Sequence, residues 1–149
     1  MQEIVYHFDF ELPIRQLWNL INSFDEMVTM IPGYISHEMK GKDEIEVSIQ
    51  LKWGLIKKRT KMKINITKRS EPHLLSFSFV SGASSIKGNC LYIAESPHIN
   101  HTNVTINLNI IAQGAIKPMI QTFLKNYELS KEKVEKITEM VTTKVREVG

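Results

Sequence analysis

The chain has 149 residues, 42% of them hydrophobic, and a formal net charge of +3, which is length enough for a single domain with a real core. No apolar run approaches the ~20 residues that span a bilayer, and the opening Met1-Gln2-Glu3, with Asp9 and Glu11 close behind, does not read as a secretory signal. The one cysteine, Cys90, excludes an internal disulfide and a cysteine-built metal cage; it is expected to be a small buried hydrophobe in a cytoplasmic protein.

Residues 3–10 alternate. Ile4, Tyr6, Phe8 and Phe10 fall on one side and Glu3, His7 and Asp9 on the other, the pattern of a half-buried strand. Pro13 opens a short helix whose apolar face is Ile14, Leu17, Trp18 and Ile21. A second short helix is expected over 25–30, stopped by Pro32-Gly33.

From there to Gly114 the period is two, interrupted at turn residues. Ile35 to Lys40 forms a strand and Gly41-Lys42-Asp43 a turn. Ile45, Val47, Ile49 and Leu51 mark the inward face of the next strand, and Trp53-Gly54 a corner or bulge. Ile56, Thr60, Met62, Ile64 and Ile66 then alternate with Lys57, Arg59, Lys61 and Lys63. Strands through Leu75, Phe77 and Phe79, through 85–94, and through Val104, Ile106, Leu108 and Ile110 complete the series.

The last quarter, 115–148, reads as one long amphipathic helix. Ile116, Met119, Ile120, Phe123, Tyr127, Val134, Ile137, Val141, Val145 and Val148 recur at helical spacing. Ser130 and Lys131 interrupt this stripe, the place for a kink or a cavity mouth. The first half of the helix, 116–127, is expected over a ligand; the second, richer in valine and isoleucine, suits fixed packing. The predicted fold is α+β: a curved antiparallel sheet of about seven strands around a long C-terminal helix, with two short helices after the first strand.

Three stretches carry a family resemblance: Phe8-Asp9-Phe10-Glu11-Leu12-Pro13 followed by Leu17-Trp18 and Leu20; Phe24-Asp25-Glu26-Met27 running into Ile31-Pro32-Gly33; and Gln113-Gly114-Ala115-Ile116-Lys117-Pro118-Met119-Ile120. In order and length the chain resembles the helix-grip superfamily, which includes the birch pollen allergen, the steroidogenic-acute-regulatory-related lipid transfer domains and the polyketide cyclases. Within it the chain is most similar to the G-type accessory family of carbon monoxide dehydrogenase. The resemblance implies a single helix-grip domain, and the carbon monoxide dehydrogenase likeness implies an accessory or membrane-recruitment factor for a redox enzyme, with a peripheral place at the inner membrane face.

The inward phase turns Met62, Phe77, Phe79, Cys90, Tyr92, Met119, Phe123 and Tyr127 towards one another between sheet and helix. Such aromatic and methionine walls suit a small hydrophobic ligand, and they equally suit a closed core. Tyr6, Tyr92 and Tyr127 could each orient a ligand. Lys57, Arg59, Lys61 and Lys63 share one strand face, either a solvated face guarded against edge pairing or a patch for an anionic membrane or an acidic partner. Nucleic acid fits poorly, because no aromatic side chains interleave with these charges. His98 and His101, with Glu95, sit in a polar turn and lack a third placed ligand, so no metal or cofactor is expected. No catalytic constellation or glycine-rich phosphate loop is found. The leading expectation is non-catalytic binding or carriage of a hydrophobic molecule, with a cyclase-type enzyme as the remote alternative.

Overall fold

The first strand obeys its alternation: in β1 (Gln2–Phe10) Phe8 and Phe10 are buried while His7 and Asp9 are exposed. The computed structural model describes residues 2–53, 55–82, 85–126 and 131–148. After β1 come two short helices, α1 (Ile14–Ile21) and α2 (Phe24–Met27), and a 3-10 turn at Val28–Met30. Pro13 is the N-cap residue of α1 rather than its first helical residue, with extended backbone (φ −61°, ψ 141°). Leu20, besides the expected Leu17 and Trp18, is fully buried.

Six more strands follow: β2 (Tyr34–Met39), β3 (Glu44–Trp53), β4 (Ile56–Ser70), β5 (Leu74–Ser81), β6 (Ile86–His98) and β7 (His101–Ala112). All neighbours are antiparallel, in the order β1-β7-β6-β5-β4-β3-β2. β1 and β2 are therefore the edges, and the chain crosses once from one edge to the other through α1 and α2. Thr102 pins this crossover: its fully buried hydroxyl donates to the Leu12 carbonyl at 2.7 Å.

Two elements depart from the periodic pattern. Ile56 faces outward at 54% exposure, because β5 pairs with β4 only from Met62 onward and nothing covers the start of β4. The C-terminal segment begins with a 3-10 turn at Gly114–Ile116 and is described as two helices, α3 (Lys117–Asn126) and α4 (Lys131–Val148). The expected break at Ser130 lies in 127–130, outside the described residues. The division has a packing counterpart. α3 packs on β3, near one edge of the sheet, and α4 packs on β1 and α1 at the other.

Two hydrophobic clusters result. One joins Phe24 and Val28 to Ile45, Val47, Ile49 and Leu51 of β3, Met62 and Ile64 of β4, and Ile116, Met119 and Ile120. The other joins Phe8 and Phe10 to Leu17, Trp18 and Leu20 of α1, Leu75, Tyr92, Ala94 and Val104 of the sheet, and Val145 of α4. Each large aliphatic or aromatic side chain buried here contributes roughly 1.5–3 kcal/mol.

The turn into β2 fixes where the first cluster ends. Gly33 takes φ +81°, and its carbonyl accepts from the Gln50 N–H at 2.7 Å. A Cβ at this position would overlap the Gln50 carbonyl oxygen, so only glycine fits for both reasons. Gly33→Ala is expected to lower the unfolding free energy by more than ~1 kcal/mol, measured by urea unfolding; an unchanged midpoint would contradict this account of the turn.

Candidate functional site

Where the two clusters meet they do not close. A partly open cavity of about 390 Å³ lies between the concave face of the sheet and α4, two to three times the ~150 Å³ that accommodates a benzene ring. Its described wall is Tyr6 and Phe8 of β1, Ile31 and Pro32 before β2, Val47 and Ile49 of β3, Met62 and Ile64 of β4, Phe77 and Phe79 of β5, Ile106, Leu108 and Ile110 of β7, and Ile137 of α4. Both clusters contribute: Phe8, Tyr6, Ile106 and Ile137 belong to or border one, and Val47, Met62, Phe77 and Phe79 the other.

Among these described wall residues Tyr6 alone carries a side-chain oxygen or nitrogen. Burial, and secondarily the nearby Cys90 sulfur, holds its phenol above the ordinary value. Cys90 is buried in β6, directly opposite Phe77 and Leu108 in the register, and burial pushes its thiol up to about 12. Tyr92, two residues on, is shifted upward by burial as well, and its hydroxyl is buried without a hydrogen-bond partner among the described residues. All three groups stay protonated at neutral pH. The described wall therefore presents an uncharged apolar surface with one hydroxyl.

The structure places Met62, Phe77 and Phe79 on the cavity wall, as the inward phase requires. Cys90 and Tyr92 are buried on the same face without being part of the described wall. Met119 is packed in the first cluster, away from the described wall. Tyr127 and the side chain of Phe123 lie outside the described residues. The expectation that 116–127 forms the roof is corrected in part: the helical side chain on the described wall is Ile137, from the half expected only to pack. The reason is the path of the chain, since α3 lies on β3 whereas α4 crosses to β1. A glycine also shapes the floor. A Cβ at Gly88 would overlap the Phe79 ring and the Asn109 carbonyl oxygen, so the missing side chain lets Phe79 lie over β6.

Lys57, Arg59, Lys61 and Lys63 are all exposed. Glu46 divides them: it stands 3.7 Å from Lys61 Nζ and directly opposite Lys63 in the register. His98 and His101 face each other across the β6–β7 turn, with His101 3.9 Å from Asp9. No group of three histidine, cysteine or acidic side chains is placed to hold a metal among the described residues.

One arrangement is not visible in the sequence. His37 Nδ1 lies 2.6 Å from the Tyr34 hydroxyl and Nε2 2.9 Å from Asp25 Oδ1, a set satisfied when Tyr34 donates to Nδ1 and Nε2–H donates to Asp25. It ties α2 to the edge strand β2 and brackets the wall residues Ile31 and Pro32. A bulge between Tyr34 and Ser36 makes it possible, bringing two side chains three residues apart to one face. Tyr34 is not on the described wall, so the set serves here as a clamp beside the cavity.

No protein-family model and no curated protein matches the chain. Solved structures do. A conserved protein from Geobacillus kaustophilus is similar with a TM-score of 0.69 and 11% identity, over 99% of this chain and 91% of that one. Ara h 8.0201 has a TM-score of 0.56 and 11% identity, over 99% and 94%. The ZhuI aromatase/cyclase from Streptomyces sp. R1128 has a TM-score of 0.56 and 9% identity, over 99% and 87%. At these identities the likeness is one of fold, and the fold is the helix-grip fold.

Burial of Cys90 gives a pH signature. The unfolded chain releases the thiol proton near 9.0 and the folded chain at about 12. As pH rises between these values the unfolded state binds fewer protons and stability falls. The loss should be absent from the difference curve of Cys90→Ala, measured by chemical unfolding from pH 8 to 10.5. At pH 8 the native thiol should resist a disulfide-exchange reagent until denaturant is added; rapid native labelling would contradict the burial.

Proposed function

We propose that this protein binds and carries a small, uncharged, largely apolar molecule bearing one polar group, held between the sheet and α4. The observation that supports this most is the wall itself: an open 390 Å³ space whose described lining is apolar except for the Tyr6 hydroxyl. A preformed space of this volume falls in the range of small-molecule sites. Adaptable Met62 and the flat faces of Phe77 and Phe79 suit a ring system or a folded acyl chain, and Tyr6 would donate to a carbonyl or hydroxyl at one end. One structural neighbour is an aromatase/cyclase. An enzyme of that kind would need an acid, base or arginine over the substrate, and the described wall offers none, so carriage is the better-supported reading.

The resemblance to the carbon monoxide dehydrogenase accessory family supports a second reading, a factor recruited by a redox enzyme, with the exposed cations of β4 as the contact. Charge reversal at Lys61 and Lys63 should then weaken capture of that enzyme while leaving the cavity intact.

Uptake of an environment-sensitive apolar dye, such as N-phenyl-1-naphthylamine, tests the cavity. The protein should bind the dye with one-to-one stoichiometry. Met62→Trp, which places a larger side chain in the space, should reduce uptake at least tenfold without loss of the cooperative unfolding transition. Tyr6→Phe should leave dye uptake unchanged and weaken a carbonyl-bearing competitor roughly tenfold, the scale of one hydrogen bond. Uptake by Met62→Trp equal to that of the parent would refute the site.

A further inference from the structure

The β3–β4 hairpin outruns the sheet. β2 stops pairing with β3 at Ile49, apart from the Gln50–Gly33 hydrogen bond, and β5 stops pairing with β4 at Met62. Beyond Leu51, which is still buried, 52–53 and 56–59 form a two-stranded projection with no neighbouring strand on either side among the described residues. At its tip Leu55 is 101% exposed and Ile56 54% exposed. Apolar residues so placed cost solubility unless something receives them.

Cations flank the tip: Lys52, Lys57, Lys58 and Arg59 are all exposed. Lys52 and Lys57 stand directly opposite each other across the two strands, a like-charge pairing that disfavours the hairpin unless an anion lies between or over them. Among the described residues none of the four has a carboxylate within ion-pairing distance, unlike Lys61 with Glu46. The acidic side chains of the same hairpin, Asp43, Glu44 and Glu46, are gathered at its other end. The hairpin is therefore a dipole with an apolar point at the positive end.

We propose that this projection docks the protein on an anionic bilayer surface, the four cations engaging lipid headgroups while Leu55 and Ile56 enter the headgroup–acyl boundary. An acidic protein would answer the charge but would not by itself require a fully exposed apolar point between the cations; a bilayer interface answers both. The inference does not depend on the cavity. It does carry a spatial consequence: Ile49 of the cavity wall is six residues along the strand from Leu55, roughly 20 Å at strand rise.

Sedimentation with vesicles of 70% phosphatidylcholine and 30% phosphatidylserine, against vesicles of phosphatidylcholine alone, tests this with the full chain. Binding to the mixed vesicles, weak binding to the neutral ones and loss in 0.5 M salt are expected. Each cation near such a surface is worth about fivefold in affinity, so Lys57→Glu/Lys58→Glu/Arg59→Glu should reduce partitioning by ~100-fold or more. Leu55→Asp should reduce it with the cations intact, which charge attraction alone does not predict. Both variants should still take up the apolar dye, showing that they fold, and Met62→Trp should still sediment. Failure of vesicle binding with dye uptake intact would overturn the docking surface and leave the cavity standing. Equal binding to neutral vesicles, indifference to the three reversals, or an acidic protein partner bound without any vesicle binding would overturn it too.

Discussion

Seven antiparallel strands with apolar side chains on one face must have that face covered, and the construction of this molecule follows from how the covering is shared. One helix is about 10 Å across, while neighbouring strands stand ~4.8 Å apart, so a single helix shields only two or three strands of a seven-stranded sheet. The chain divides the task. α1 and α4 cover the β1 side, and α2, the following 3-10 turn and α3 cover the β3 side. The cavity lies at the seam, where neither covering reaches the floor.

This explains why the wall draws on both clusters and why it is so apolar. The side chains lining it are the same inward-phase residues that would form an ordinary core if α4 lay closer. A packed interior would recover the dispersion contacts that an open space forgoes, and that unrealised packing is available to a ligand that fills it. Tyr6, Cys90 and Tyr92 add polar atoms on this face without adding charge, each held protonated by burial. Selectivity at such a site comes from shape and one hydrogen bond rather than from ion pairing.

Much of this was legible in the sequence, for a physical reason. A strand buried on one face must alternate, so Ile45, Val47, Ile49 and Leu51 declare their direction, and Met62, Phe77 and Phe79 inherit theirs from the same rule. What escaped depends on departures from regular geometry. The Asp25–His37–Tyr34 clamp needs a bulge that period two cannot anticipate. Ile56 keeps the inward phase yet is exposed, because alternation says which way a residue points and not whether anything lies over it. Ile137 satisfied the helical stripe equally well as packing or as wall, and only the placement of α4 across the sheet decides between them.

Native mass spectrometry of gently purified protein tests the central claim most directly, since it asks whether the seam is a site. A stoichiometric adduct of a small neutral molecule, lost in Met62→Trp and released on unfolding, is the predicted result. A bare protein mass that stays bare after incubation with apolar probes, alongside a solved structure in which Ile137 closes onto Phe77 and Met62, would contradict it.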